Sequence, residues 1–226
     1  MKQAYFLTGT DTEVGKTFVT CALLQRASQL GLTAAGLKPI AAGTDATGRN
    51  EDVENIRAAS NFVLPPATVN LYCFPPPVAP HLAAAEAGVA IEFAAIEAAC
   101  TAARREVDVL IVEGVGGFRV PLGADGDSAD LAVTLGLPLI LVVGLRLGCI
   151  NHALLSVEAI AARGLKLVGW VANRIDPAMA KAEANLATLE SLIDAPLLGV
   201  VPHRPAGGYA GAADFLRLPA ENGLRF

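Results

Sequence analysis

The stretch that most limits what this chain can become is Gly9-Thr10-Asp11-Thr12-Glu13-Val14-Gly15-Lys16-Thr17. It follows a short apolar run at 4–7 and opens a helical pattern at 17–30. Glycines permit a tight turn whose backbone N–H groups converge on phosphate oxygens. A helix starting there adds the positive end of its dipole. Lys16 would reach the outer phosphates and the Thr17 hydroxyl would face Mg²⁺. The spacing departs from G-x-x-x-x-G-K-[ST], because Gly9 is one residue early and Thr10 stands at the glycine position. The order strand, loop, helix makes phosphate binding a better explanation than an incidental helix start.

Beyond this loop, short apolar runs alternate with helical patterns. The runs lie at 4–7, 33–38, 107–112, 138–143, 166–172 and 196–201. The helical patterns lie at 17–30, 51–60, 91–105, 129–135, 150–163 and 177–192. Several runs are apolar at consecutive positions, as parallel strands buried on both faces must be. The expected fold is α/β: a mostly parallel central sheet with helices on both faces, of the P-loop NTPase type. One domain over 1–226 is expected, with an ordered loop at Pro75-Pro76-Pro77-Val78-Ala79-Pro80 and an unassigned Gly-rich segment at 203–226.

Composition excludes several alternatives. A formal charge of −5 with no Lys/Arg cluster argues against a nucleic-acid partner. The apolar start is too short for a signal peptide, and no run of about 18 apolar residues spans a membrane. Cys21, Cys73, Cys100 and Cys149 show no C-x-x-C spacing, so buried thiols in a reducing, cytoplasmic setting are expected.

Ligands of such sheets sit beyond the carboxyl ends of the strands. The run Val107-Asp108-Val109-Leu110-Ile111-Val112 ends in Glu113, followed by Gly114-Val115-Gly116-Gly117. Mg²⁺ needs only one or two carboxylates beside the phosphates, and Glu113 is placed to be one. For a second acid, spacing does not choose among Asp45, Glu51 and Asp52. Lys38, at the end of the second strand, either marks a surface or faces the phosphate loop. That strand is expected beside the first. Asn173 and Arg174 follow another strand, and Pro202-His203-Arg204 follow the last. An Asn there suits either a turn or the edge of a base.

The nine-residue loop resembles the signature of the dethiobiotin synthetase family, a P-loop branch shared with cobyrinate-type synthetases and MinD/ParA-like ATPases. Further stretches carry the likeness: Lys38-Pro39, Arg49-Asn50-Glu51-Asp52, Val112-Glu113-Gly114-Val115-Gly116-Gly117, Gly148-Cys149-Ile150-Asn151 and Trp170-Val171-Ala172-Asn173. It extends from Phe6 to about Pro202. The resemblance implies ATP- and Mg²⁺-dependent closure of a cyclic urea from 7,8-diaminononanoate (7,8-diaminopelargonate) and CO₂. It implies Lys38 and Lys16 as catalytic cations, and Thr17, Asp52 and Glu113 as sharing Mg²⁺. Nucleotide contacts are implied at Glu13, Val14, Gly15, Lys16, Thr17, Phe18, Gly114, Val115, Gly116, Asn173, Arg174, Pro202, His203 and Arg204. Substrate contacts are implied at Thr12, Lys38, Ala42, Gly148, Cys149, Ile150 and Asn151. The last four lie at a two-fold interface in the family, so a homodimer is implied. The family generally carries Ser where this chain has Ala42, with Thr44 two residues on. A MinD/ParA-like switch ATPase would carry an extra lysine early in the loop, and none lies between Lys2 and Lys16.

Overall fold

The computed structural model describes residues 2–219. Its strands are β1 (Gln3–Gly9), β2 (Ala34–Leu37), β3 (Ile40–Ala42), β4 (Tyr72–Phe74), β5 (Val109–Glu113), β6 (Pro121–Gly123), β7 (Gly126–Asp127), β8 (Leu139–Gly144), β9 (Leu167–Asn173) and β10 (Leu197–Val201). The helices are α1 (Lys16–Gln29), α2 (Glu51–Ala59), α3 (Pro66–Val69), α4 (Pro80–Ala87), α5 (Phe93–Glu106), α6 (Ser128–Leu135), α7 (Cys149–Ala162), α8 (Ala182–Leu192) and α9 (Gly208–Ala212), with a 3₁₀ turn at Ala213–Phe215.

Six strands form one sheet in the order β10-β9-β8-β1-β5-β2, and every pairing in it is parallel. The two-residue period of β1 divides its side chains between two cores. Tyr5 and Leu7 pack with Leu23, Leu24 and Ala27 of α1. Ala4 and Phe6 pack with Cys100 of α5 and Ala132 of α6. Helices therefore cover both faces. Each fully buried leucine of α1 stabilises by about 2 kcal/mol. Trp170, fully buried, anchors a third cluster against Ala153 of α7 and Leu189 of α8. Among the described residues, no helix is long and apolar enough to cross a membrane.

The sheet corrects one expectation. β2 does not lie beside β1, because β5 pairs with both and sits between them. All five residues of β5 (Val-Leu-Ile-Val-Glu) are buried. The smaller Ala-Ala-Gly-Leu of β2 takes the edge. The bulkier strand fills the central slot, and from there it delivers Glu113 beside the β1 loop.

The proline-rich stretch is ordered, and its last residue starts α4. Pro at the first helical position loses only an N–H that has no intrahelical partner. The pattern at 177–192 begins its helix five residues late, after Lys181 turns through φ +59°. The Gly-rich segment forms α9 and the 3₁₀ turn, with α9 against α1. The remainder of the unassigned segment, 220–226, lies outside the described residues. Cys21, Cys100 and Cys149 are buried free thiols as expected, whereas Cys73 is exposed. Cys73 lies on the three-residue β4, which among the described residues pairs only with β3.

Candidate active site

The loop between β1 and α1 takes its shape from Gly15, which caps α1 at φ +83°. A Cβ there would lie 2.2 Å from Asn173 Nδ2. That amide donates to Val14 O at 2.9 Å, so the end of β9 holds the loop in place. The unusual spacing has a simple origin. Thr10 N–H donates to Val142 O at 3.0 Å, continuing the β1–β8 ladder. Thr10 still belongs to the strand edge, and no left-handed residue is required there. The strained position is Glu13, at φ +61°. Such a conformation costs a non-glycine residue about 1 kcal/mol and is typical of functional loops.

Beside the loop, three side chains meet on one carboxylate. Thr17 Oγ1 donates to Glu113 Oε1 at 2.7 Å, and Lys38 Nζ donates to the same oxygen at 2.7 Å. Thr20 Oγ1 donates to Oε2 at 2.6 Å. Lys38 Nζ also donates to Gly114 O at 2.9 Å and lies 3.8 Å from Asp52 Oδ2. Lys38 thus faces the phosphate loop, reaching past β5 from the sheet edge. Asp52 follows Asn50, whose side chain caps α2 by accepting from Val53 N–H and donates to Gly43 O. Of the three acids that spacing left open, Asp52 is the one beside Lys38. Asp45 instead folds onto Thr47 and Arg49.

The oxygens of Thr17, Asp52 and Glu113 suit magnesium, which prefers hard oxygen donors. The 2.7 Å between Thr17 Oγ1 and Glu113 Oε1 is close to the roughly 2.9 Å edge of an octahedron with bonds of about 2.05 Å. Among the described residues, no three His, Cys, Asp or Glu side chains gather as a complete metal cage. A site finished by phosphate oxygens and water needs none.

Lys16 Nζ donates to Asp11 O at 2.8 Å. Burial, reinforced by the charge of Lys38, lowers its pKa to about 8. Polyphosphate oxygens would restore the ordinary value. At pH 8 the free protein would carry Lys16 about half charged, and binding would take up roughly half a proton. Affinity for nucleotide therefore falls as pH rises above 8. Calorimetry of Mg·ATP binding in buffers of different ionisation enthalpy measures this uptake. It should approach zero at pH 6.5 and vanish in Lys16→Ala. Burial and the nearby acids push the Cys21 thiol up to about 12, which leaves it inert.

A cavity of about 800 Å³ gathers Thr12, Glu13, Gly15, Lys16, Thr17, Phe18, Lys38, Ala42, Asp52, Val115 and Gly116, with Tyr209 of α9 and the Pro77–Pro80 stretch on its wall. Glu113, Gly114 and Val14 are buried behind this wall. The other expected residues lie outside it. Arg174 pairs with Glu183, and His203 Nδ1 lies 3.1 Å from Arg174 O, joining the two segments that follow β9 and β10. Pro202 and Arg204 flank His203, with Arg204 at φ +45°. Gly148, at φ +94°, caps α7 without a side-chain bond. Cys149 is buried, Ile150 is half-buried, and Asn151 is exposed rather than a cap. This tip meets the phosphate loop through an Arg146–Asp11 ion pair.

The parallel sheet, the Gly-Lys-Thr loop at its switch point and the acids beside it define a P-loop nucleoside-triphosphate-dependent protein. Solved structures agree on the fold. The MinC:MinD cell division complex of Aquifex aeolicus matches at TM-score 0.57 and 15% identity, covering 99% of this chain and 97% of that one. MinD of Pyrococcus horikoshii complexed with Mg-ADP matches at TM-score 0.56 and 13% identity, covering all of both. Residues 3–208 match a family model described as an AAA domain. The ATP-dependent dethiobiotin synthetase of Aromatoleum aromaticum is 60% identical over 96% of this chain and 98% of its own length. That of Ralstonia nicotianae is 54% identical over 88% and 89%. The chain belongs to the ATP-dependent dethiobiotin synthetase family.

Proposed function

We propose that this chain, acting as one domain per subunit, closes the cyclic urea of dethiobiotin from 7,8-diaminononanoate, CO₂ and ATP in biotin biosynthesis. The observation that carries this assignment is the meeting of Lys38, Thr17, Asp52 and Glu113 beside the Lys16 loop. One amine of the diamine adds to CO₂ and loses a proton, giving a carbamate. A carbamate oxygen attacks the γ-phosphorus of ATP, and ADP leaves. The second amine attacks the carbonyl carbon of the mixed anhydride. Phosphate departs, a proton is lost, and the ring is closed.

The protein's part is position and charge. The β1–α1 loop and Lys16 hold the polyphosphate. Lys38, anchored by Glu113, faces the negative charge shared by the carbamate and the transferring phosphoryl group. Fixed cations in a water-poor cavity stabilise such charge without reorganisation. Thr17, Asp52 and Glu113 would hold magnesium, which supplies neutralisation of the phosphate oxygens when bound. Ala42 lacks the family's hydroxyl, and Thr12 and Lys38 remain as polar substrate contacts on the cavity wall. The base would lie toward Asn173–Arg174 and Pro202–Arg204. The α7 tip at Gly148–Asn151 would receive the diamine's carboxylate across a homodimer interface. A cytoplasmic setting fits the four free thiols.

Purified protein with Mg·ATP should release ADP only when both diamine and bicarbonate are present, and dethiobiotin should form in equal amount. ADP release indifferent to the diamine would refute the substrate assignment. The distant likeness to MinD concerns the fold alone, at 13–15% identity.

A further inference from the structure

Thr20 is an anomaly on its helix. It is fully buried on a helix whose other buried residues, Lys16 apart, are apolar: Val19, Cys21, Ala22, Leu23, Leu24 and Ala27. Its hydroxyl does not turn back onto its own helix but crosses to Glu113 Oε2 at 2.6 Å. The two carboxylate oxygens are thereby divided. Oε1 receives both Thr17 and Lys38, the donors that line the cavity. Oε2 receives Thr20, which does not line it.

We propose that Thr20 is the positioning residue for Glu113: its hydroxyl pins Oε2 so that Oε1 stays aimed at the cation site. This rests on the assignment of Glu113 to magnesium. When a cation takes over Oε1, the bonds from Thr17 and Lys38 are the ones that must rearrange. The Thr20 bond points away from the cavity and persists. Partners that orient a ligand from behind typically change metal affinity about 10- to 100-fold when removed.

The test compares ATP affinity by calorimetry with saturating Mg²⁺ and with EDTA, in Thr20→Val, Thr20→Ser and Glu113→Gln. Valine keeps the shape and removes the hydroxyl; serine keeps the hydroxyl and removes the methyl. For Thr20→Val, the enhancement of affinity by magnesium should fall about tenfold. Metal-free affinity should stay within about twofold, and serine should retain the enhancement. A Thr20→Val protein that keeps the enhancement while Glu113→Gln loses it would overturn the role of Thr20 and leave Glu113 standing. Equal loss in valine and serine would assign the effect to packing and also overturn it. An enhancement untouched in Glu113→Gln would overturn the metal assignment itself. Should Thr20→Val not fold, Thr20→Ala against Thr20→Ser makes the same comparison.

Discussion

Lys38→Gln is expected to lower kcat about a thousandfold while Mg·ATP affinity stays within about fivefold. The asymmetry follows from where Lys38 sits. In the proposed mechanism the nucleotide is held chiefly by the β1–α1 loop and Lys16, neither of which bonds Lys38. Its ammonium instead lies on Glu113 and near Asp52, on the cavity wall that the proposed mechanism turns toward carbamate and γ-phosphate. Glutamine is one atom shorter; it keeps an N–H donor directed toward Glu113 but brings no charge. What it removes is the fixed cation facing charge that grows only as the phosphoryl group transfers. Breaking one side of a buried ion pair ordinarily costs about 3–5 kcal/mol. Here Thr17 and Thr20 still satisfy Glu113, so the loss should be nearer 1–2 kcal/mol, or a few degrees in Tm at this chain length. Single-turnover kinetics, ATP calorimetry and thermal unfolding separate these effects. Turnover at the parent rate would remove Lys38 from the mechanism.

The central sheet was legible because its strands are buried on both faces and read as unbroken apolar runs. What resisted reading lacks that signature. β3 and β4 are three residues each, and α4 (Pro-His-Leu-Ala-Ala-Ala-Glu-Ala) is too uniform in small residues to show a helical period. Its N1 proline was the available signal, masked by the prolines just before it. Strand order failed for a different reason. An apolar run shows that a strand is central or peripheral only by comparison with its neighbours, so β2 and β5 had to be weighed together.

The site shows the same division between local and distant information. Glu113 and Thr17 were legible because one ends a strand and the other starts a helix at the ligand edge of the sheet, whereas position left Lys38 open and the family resemblance singled it out. Thr20 was missed, since a threonine within a helix looks neutral and its partner lies 93 residues away. One signal existed: a hydroxyl on the buried face of an otherwise apolar helix must find an acceptor. Asn173 was read as a base-edge or turn residue. The structure adds a hydrogen bond to Val14 O, through which β9 braces the phosphate loop.

That brace leads to the second large effect. Gly15→Ala should destabilise the fold by about 2–5 kcal/mol, weaken Mg·ATP binding and lower turnover at least about a hundredfold. Two penalties combine. An L-residue at φ +83° costs about 1–2 kcal/mol. The new methyl would also sit 2.2 Å from Asn173 Nδ2, far inside contact distance. To relieve the clash the amide must abandon Val14 O, leaving a buried carbonyl unpaired at about 1–3 kcal/mol. Any relief by the loop instead displaces the N–H groups proposed to cup phosphate, and misplacing a reacting group by about 1 Å can cost about a hundredfold in rate. At this chain length the midpoint should fall by roughly 5–12 °C. Adding Asn173→Ala to Gly15→Ala removes the clash but not the backbone strain. The double variant should therefore unfold at or above the midpoint of Gly15→Ala, not below it. Additive losses in the double variant would show that Asn173 and Gly15 act independently. A Gly15→Ala protein with the parent's midpoint and nucleotide affinity would mean that this turn does not hold the phosphates.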